Sequence, residues 1–351
     1  MIANEAFVLV LGAFLGSLVL WAFKRLPEER WQFLASVPVI KDSSGRWRGI
    51  NFTYYGLLTA NALAFGVVLL IVLFGALRVS TPVTLALILV LLVICLPSAR
   101  WVAQLVEGKA CTFTIAGAFF VGIFATPAVI YLFNSILGRA EMQPIPVIPA
   151  LAAFTIAYAF GEGLGRLACI SFGCCYGIAL VDSHPLLKRL FDHWYFVFSG
   201  KMKKISYASD LEGKQVIPVQ AVTAVLFLFI GLLSTLFFLW GSYGLALVFT
   251  MTVTQAWRFL SEMMRADYRG RGKISVYQIM GIIAILFAGA MSYLDAGDAV
   301  AVPDLLAGIE TLWQPLVLLI LQVLWVSVFV LFGKSMVTGA EISFHLHEDR
   351  I

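Results

Sequence analysis

The sequence predicts an all-α polytopic membrane protein with about nine transmembrane helices. First, 61% of the 351 residues are hydrophobic and 13% are charged, against roughly 45–50% and 25% in soluble domains. Second, the chain repeatedly contains uncharged runs of roughly 20 residues, the length that crosses a hydrocarbon core. Third, all 24 Lys and Arg can be assigned to one membrane face or the other. These observations exclude an ordinary soluble domain.

The uncharged runs give the positions of the nine crossings. They are 6–23, 52–77, 79–99, 110–138, 143–161, 215–240, 245–257, 274–294 and 311–333. The sixth and seventh share one stretch, which we divide at Gly241-Ser242-Tyr243-Gly244 because Gly and Ser favour a tight turn. The first run could be a secretory signal, but the bulky and charged residues 24–27 after it favour a retained helix.

Ionisable residues occur at the ends of two crossings. Glu162 and Arg166 are four residues apart, and Arg258, Glu262 and Arg265 have the i, i+4, i+7 spacing of one helical stripe. Such groups are either a paired structural network or a basic pocket for an anion, and their cost in a membrane favours the pocket. Arginine binds phosphate bidentately, so the expected ligand is a phosphorylated lipid, with the arginines stabilising a leaving phosphate.

The cysteines and histidines predict no metal site. Five cysteines, an odd number, do not suggest a disulfide framework. The four histidines lie outside the membrane runs, and no Cys and His spacing suggests zinc. Cys169, Cys174 and Cys175 could supply chemistry of their own, but thiols in apolar surroundings are more often inert packing.

Five stretches, in order, carry a resemblance to a known family. They are Tyr55-Gly56-Leu57; Gly165-Arg166 with Tyr176-Gly177 closing the same motif; Pro218-Val219-Gln220; WRFLSEMMR at 257–265; and a helix beginning near Gln278. Together they resemble the bacterial prolipoprotein diacylglyceryl transferases over residues 50–295. The resemblance implies a seven-helix core with one added helix at each end.

The resemblance predicts three segments along the chain. Residues 1–50 would be an added transmembrane helix with a basic loop, and residues 51–295 the transferase-like core, with an extramembrane insertion at 178–214. Residues 296–351 would be an added C-terminal helix and tail. The insertion mixes aromatic residues with lysines, which is typical either of an element lying at the lipid headgroups or of a solvated loop.

The family implies an activity and roles for individual residues. Its members take diacylglycerol from phosphatidylglycerol, join it to a lipoprotein cysteine and release glycerol phosphate, without a cofactor. By position, Arg166 and Arg258 would hold the lipid phosphate, Glu262 and Arg265 would orient them, and Tyr55 and Gln220 would line the cavity. The predicted catalytic residues are Arg166, Arg258 and Glu262; the predicted substrate-binding residues are Tyr55, Gly165, Tyr176, Gly177, Gln220, Arg265 and Gln278.

The chain departs from the family in its missing histidines and in its charge distribution. Residues 112–122 contain no histidine, Ile217 replaces the histidine before the Pro-x-Gln motif, and Cys169 and Phe172 replace signature asparagines. All Lys and Arg except Arg78 and Arg139 fall on the face with both long loops. The positive-inside rule places that face in the cytoplasm, whereas the family places it outside.

We therefore expect a divergent family member in a bacterial inner membrane, with an anionic phospholipid as one partner. The acceptor would be a protein or a small nucleophile, and no nucleic acid is expected. The alternative is a catalytically inactive lipid-binding or scaffold subunit on the same core. A transporter fits less well, because the charges lie at one face and not at a midplane between repeats.

Overall fold

The computed structural model describes residues 2–107, 114–266, 274–294 and 302–351. Its described residues contain nine helices of 19 residues or more and three shorter ones. In chain order they are α1 (Ile2–Arg25), α2 (Tyr54–Ala76), α3 (Thr81–Glu107), α4 (Ile115–Arg139), α5 (Val147–Phe172), α6 (Pro185–Phe191), α7 (Lys204–Ser209), α8 (Val219–Leu239), α9 (Tyr243–Glu262), α10 (Val276–Leu294), α11 (Leu305–Leu312) and α12 (Pro315–Gly333).

The predicted polytopic all-α membrane fold is confirmed. Eight of the long helices are long and apolar enough to cross a membrane. The ninth, α9, has 20 residues but carries Arg258 and Glu262, which lower its hydropathy. The predicted turn between the sixth and seventh crossings is correct, with α8 ending at Leu239 and Gly241 at a φ of 78°. Part of the predicted fourth crossing, residues 110–113, lies outside the described residues.

Helix α5 forms the centre of the bundle. It packs against α1, α2, α4, α8 and α9, and residues are buried on all of its sides, from Ile148 to Ser171. It extends well past Gly161, where the predicted crossing ends, and so carries Glu162 and Arg166 into the packed interior. By contrast α1 and α12 present mostly apolar, exposed surface, as lipid-facing helices do.

A small sheet outside the bundle joins two distant parts of the chain. Strands β1 (Phe33–Lys41) and β2 (Trp47–Thr53) form a hairpin, and β5 (Lys334–Ile342) pairs antiparallel with β2. A second, two-stranded sheet pairs β3 (Phe196–Val197) with β4 (Gln215–Val216). The sequence analysis predicted neither sheet. The first one crosses the predicted boundary at residue 50, and the segment boundaries stay a prediction.

The helix ends define one polar end of the molecule, which we call the signature face. There α1, α5, α9 and α12 end, and α2 and α8 begin. The Nζ atom of Lys203 donates to the carbonyl of Leu26 at 3.2 Å and to that of Ser171 at 2.6 Å, which ties the 178–214 insertion to the ends of α1 and α5. In that insertion Leu186, Leu190 and Trp194 are exposed, which favours the headgroup location over a solvated loop.

Close helix packing at the signature face depends on glycine. A Cβ atom at Gly56 would lie 2.2 Å from the Cα of Gly333, where α2 begins and α12 ends. Only a residue without a side chain allows this approach. The contact brings β5 out of the bundle beside β2, which precedes α2.

Candidate functional site

A buried carboxylate joins two arginines between α5 and α9. The Glu162 side chain is 1% exposed and forms an ion pair with Arg166, one turn further along α5. The Nη1 atom of Arg258, on α9, lies 3.4 Å from the same Oε1 atom of Glu162. It also donates a hydrogen bond of 3.1 Å to the Tyr158 hydroxyl. The predicted proximity of Arg166 and Arg258 therefore exists, and Glu162 mediates it.

The cluster contains polar atoms that lack a partner within the described part of the chain. They are Oε2 of Glu162, Nε of Arg166 and Oε1 of Gln220, all of them buried. An unmade hydrogen bond at a buried polar atom costs about 1–3 kcal/mol. The Arg166 Nε atom is thus a buried donor without a partner among the described residues.

The structure corrects the predicted stripe on α9. The helix ends at Glu262, so Arg258 and Glu262 are one turn apart as predicted, whereas Arg265 lies beyond the helix end. The prediction that Arg265 continues the helical stripe is wrong because the backbone turns after Glu262 and forms a β-bridge with Gly177. Arg265 Nη1 lies 3.9 Å from Glu262 Oε1. The carboxylate that contacts Arg166 and Arg258 is Glu162, which the sequence analysis did not include among the site residues.

Two motif segments meet at that bridge. The amide of Ile178 donates to the Met264 carbonyl at 3.0 Å, and the amide of Ala266 donates to the Tyr176 carbonyl at 3.1 Å. The Tyr176 hydroxyl lies 2.5 Å from Oγ of Ser209. Three predicted residues, Tyr176, Gly177 and Arg265, are therefore brought together as neighbours.

The remaining predicted residues occupy different surroundings. The ring centroids of Tyr55 and Phe172, at the end of α5, are 5.4 Å apart. A Cβ atom added at Gly165 would meet no atom within 4 Å. Gln220 Nε2 donates to the Cys174 carbonyl at 2.8 Å. Gln278 accepts from the Ser275 amide and donates to the Phe259 carbonyl, so it fixes the start of α10 against α9.

An apolar cleft leads away from Arg258. Residues of α4 and α10 line it with Arg258 and Gln255 of α9, among them Phe119, Phe120 and Met280. Phe119 stacks on Tyr158 with ring centroids 3.7 Å apart. The cleft has a volume of about 10 Å³, enough for about one water molecule.

Three cysteines converge beside the arginines. The Sγ atoms of Cys169, Cys174 and Cys175 all lie within 4.8 Å of one another. Hydrogen bonds from the Cys169 and Cys174 thiols, with the nearby Arg265 and Arg166 guanidiniums, hold the pKa of Cys175 well below its usual range. Hydrogen bonds with the Cys169 and Cys175 thiols, together with burial, raise the pKa of Cys174. The arrangement thus favours the thiolate form of Cys175 over that of Cys174. Cysteines that only fill space in a core do not need such a difference.

The charges of the site leave an excess of one positive charge. Three arginines (Arg166, Arg258 and Arg265) face two glutamates (Glu162 and Glu262). Because arginine stays protonated even when desolvated, this excess persists at any physiological pH. It does not include the neighbouring cysteines, and a monoanion can neutralise it, either the Cys175 thiolate or a phosphodiester.

The sequence contained a signal for Tyr158, which was not predicted, and for Glu162, which was predicted only as the partner of Arg166. Tyr158, Glu162, Arg166 and Cys169 follow the i, i+4, i+8, i+11 spacing of one helical face, and the structure places the first three in one hydrogen-bonded group.

Comparison with known protein families and with curated protein sequences finds no match to this chain.

Proposed function

We propose that this protein is a membrane-embedded transferase that moves diacylglycerol from phosphatidylglycerol, or a related anionic phospholipid, to a nucleophilic acceptor. The five sequence stretches that resemble prolipoprotein diacylglyceryl transferases support this proposal. The observation that carries it is the buried group of Glu162, Arg166 and Arg258, in which two arginines share one carboxylate and some polar atoms have no protein partner among the described residues.

The arginines would bind the lipid phosphate and stabilise the leaving group. Arg258 is 13% exposed at its side chain and Arg166 14%, so both are mostly shielded from water and retain an accessible edge. In such surroundings a guanidinium stabilises developing negative charge more strongly than in water.

The transfer requires no change of oxidation state. The electron pair of the deprotonated acceptor attacks the terminal glyceryl carbon, a carbon–sulfur bond forms if the acceptor is a thiol, and the carbon–oxygen bond to phosphate breaks. Its electron pair leaves on the phosphate oxygen, and glycerol phosphate departs. Arg166 and Arg258 would stabilise the charge on that oxygen, through the guanidinium N–H groups that do not contact the Glu162 carboxylate.

Release of glycerol phosphate from phosphatidylglycerol tests the proposal. In nanodiscs that contain phosphatidylglycerol and a cysteine peptide, the wild-type protein should release glycerol phosphate. Arg258→Gln should lower the rate by about 100-fold or more, as expected for loss of a group that stabilises the transition-state charge. Arg258→Lys should recover only part of the rate because lysine cannot bind bidentately.

Arg78→Gln is the matched control, because Arg78 is exposed at the opposite face of the bundle. It should leave the rate unchanged. If wild-type protein binds phosphatidylglycerol but releases no glycerol phosphate, the transferase proposal fails and the lipid-binding or scaffold alternative replaces it.

Topology decides which acceptor is available. We propose that the protein resides in a bacterial inner membrane with the signature face in the cytoplasm, because the predicted crossings assign all Lys and Arg except Arg78 and Arg139 to that face. A reporter active only outside the cytoplasm, inserted at Glu212-Gly213, should then be silent. The same reporter inserted in the turn at 140–142, on the other face, should be active. The opposite pattern would make an exported lipoprotein cysteine the acceptor.

A further inference from the structure

The end of α5 is shaped so that three thiols face one another. Gly173 has a φ of 71° and ends the helix, and the Cys174 amide donates to the Cys169 carbonyl at 3.0 Å. Cys175 then adopts a φ of 57°. For a residue with a side chain this left-handed conformation costs about 1–2 kcal/mol, so surrounding contacts must maintain it.

The contacts that maintain the turn come from three other parts of the chain. Gln220, at the start of α8, donates to the Cys174 carbonyl. The segment after α9 pairs with residues 176–178, and the Tyr176 hydroxyl is held by Ser209. The three sulfur atoms are therefore positioned by the fold before any ligand binds.

This donor set fits a thiophilic metal ion. Metal–sulfur bonds of about 2.3 Å place the sulfur atoms of one coordination sphere about 3.8–4.0 Å apart, so separations within 4.8 Å need only small movements. Thiolates select zinc-class and cuprous ions over calcium or magnesium. Three thiolates around a divalent ion carry one net negative charge, and Arg166 and Arg265 lie close enough to interact electrostatically with the cysteines.

We propose that Cys169, Cys174 and Cys175 bind one zinc-class ion as three thiolates and leave its fourth coordination position open. Among the described residues, no His, Asp or Glu joins the three sulfur atoms. Zinc sites with four protein ligands are structural, whereas sites with three keep a position for water or substrate. This geometry therefore favours a site that takes an exogenous ligand.

The open position fits a thiol acceptor, an assignment that rests on the proposed transferase function. A thiol that coordinated the metal would lose its proton to water, which would supply the deprotonated nucleophile without a histidine base. After transfer the sulfur atom is a neutral thioether, a weaker ligand than a thiolate, and it leaves the metal. Arg166 is located one turn before Cys169 on α5, so the metal and the phosphate-binding arginines would act on neighbouring atoms.

Cobalt is the probe for the metal site. The full-length protein, stripped with a chelator and reduced under anaerobic conditions, should bind one Co²⁺ per chain and show thiolate-to-cobalt charge-transfer absorption with the d–d bands of a tetrahedral site. Zn²⁺ should displace the cobalt and abolish these bands. Each of Cys169→Ser, Cys174→Ser and Cys175→Ser should weaken binding by more than about 100-fold, beyond the effect of losing a residue that merely orients a ligand.

Cys95→Ser, in α3, is the control that should leave the cobalt spectrum unchanged. Raised thermal stability of the wild-type protein with Co²⁺ gives a second readout if a variant expresses poorly. A spectrum without thiolate charge transfer would overturn the proposal. So would unchanged cobalt binding in the serine variants, or a disulfide among the three cysteines that persists after reduction.

The open coordination position and the transferase function can be tested independently of each other. A peptide with one cysteine should shift the charge-transfer band, and the same peptide with serine should not. No shift would overturn the open position. Arg258→Gln should keep the cobalt spectrum while glycerol phosphate release is lost; a normal cobalt spectrum with no release in wild type would leave the metal site established and reject the transferase.

Discussion

Two ion-paired regions lie at opposite faces of the bundle and differ in their access to water. At the signature face, Glu162 is 1% exposed between Arg166 and Arg258. At the other face, Arg78 pairs with Asp304 at 2.7 Å, and their side chains are 72% and 41% exposed. Exposed pairs contribute about 0–1 kcal/mol. Buried ions must offset a desolvation penalty, so the buried group is costly to keep and is better explained by ligand binding than by stability.

Removal of the central carboxylate should give the largest change in stability. Glu162→Gln leaves Arg166 and Arg258 buried without their shared counterion. Breaking a buried ion pair typically costs about 3–5 kcal/mol, and we expect a loss of that order in the free energy of unfolding. Denaturant unfolding in a neutral detergent measures it. A loss below about 1 kcal/mol would show that the arginines are as well solvated as Arg78.

The same stability measurement can be repeated with an anionic lipid added. If the arginines bind phosphate, phosphatidylglycerol should stabilise Glu162→Gln more than it stabilises the wild-type protein, because the phosphate takes the position of the missing carboxylate. Diacylglycerol, which has the same acyl chains and no phosphate, is the control lipid. Equal stabilisation by both lipids would contradict a phosphate site between Arg166 and Arg258.

Lys203 is a third case, a buried cation held by carbonyl groups instead of a carboxylate. Burial lowers its pKa from 10.5 to about 8, although Glu29 acts in the opposite direction. Between pH 8 and pH 10.5 the unfolded chain therefore binds a proton that the folded protein has released, and stability rises with pH in that window. Because a tenfold change in proton affinity corresponds to about 1.4 kcal/mol, the rise should reach at most about 3 kcal/mol.

Lys203→Met isolates this contribution, because other groups also titrate at alkaline pH. The free energy of unfolding of the wild-type protein minus that of Lys203→Met should increase from pH 8 to pH 10.5. Lys201→Met is the matched control, since Lys201 is exposed in the same loop. A difference that stays constant with pH would mean that water reaches Lys203.

The membrane helices could be predicted because their signal is local. Runs of about 20 apolar residues, and the Gly241 turn between α8 and α9, need no knowledge of distant partners. The i, i+4 spacing of Glu162 and Arg166 likewise predicted a pair on one helical face, and the structure contains that pair. The identity of the family stays a prediction.

The small sheet could not be predicted in the same way. Strand β2 pairs with β5, so Trp47 meets Ile342 from the far end of the chain. A local sequence pattern cannot identify a strand partner so far along the chain. In addition, β1 is mostly exposed and lacks the alternation of buried and exposed residues that is typical of a half-buried strand.

The thiol cluster was missed for a different reason. Cys169 lies on the helix and Cys174 and Cys175 lie beyond it, so their convergence depends on left-handed backbone at Gly173 and Cys175. The sequence spacing alone favoured inert packing. The same limitation affected Arg265, whose position depends on where α9 ends.

The exposed pair at the opposite face provides the smallest expected effect. Arg78 and Asp304 hold α11 to the end of α2, where the Asp304 amide also donates to the Ala76 carbonyl at 2.9 Å. Arg78→Ala and Asp304→Ala should each lower the free energy of unfolding by less than about 1 kcal/mol. A double-mutant cycle should give a coupling that decreases as salt is raised from about 0.01 M to 1 M, because salt screens exposed charges. A coupling above about 2 kcal/mol that does not change with salt would show that this pair behaves like the buried group at Glu162, and the difference in burial would then not distinguish the two regions.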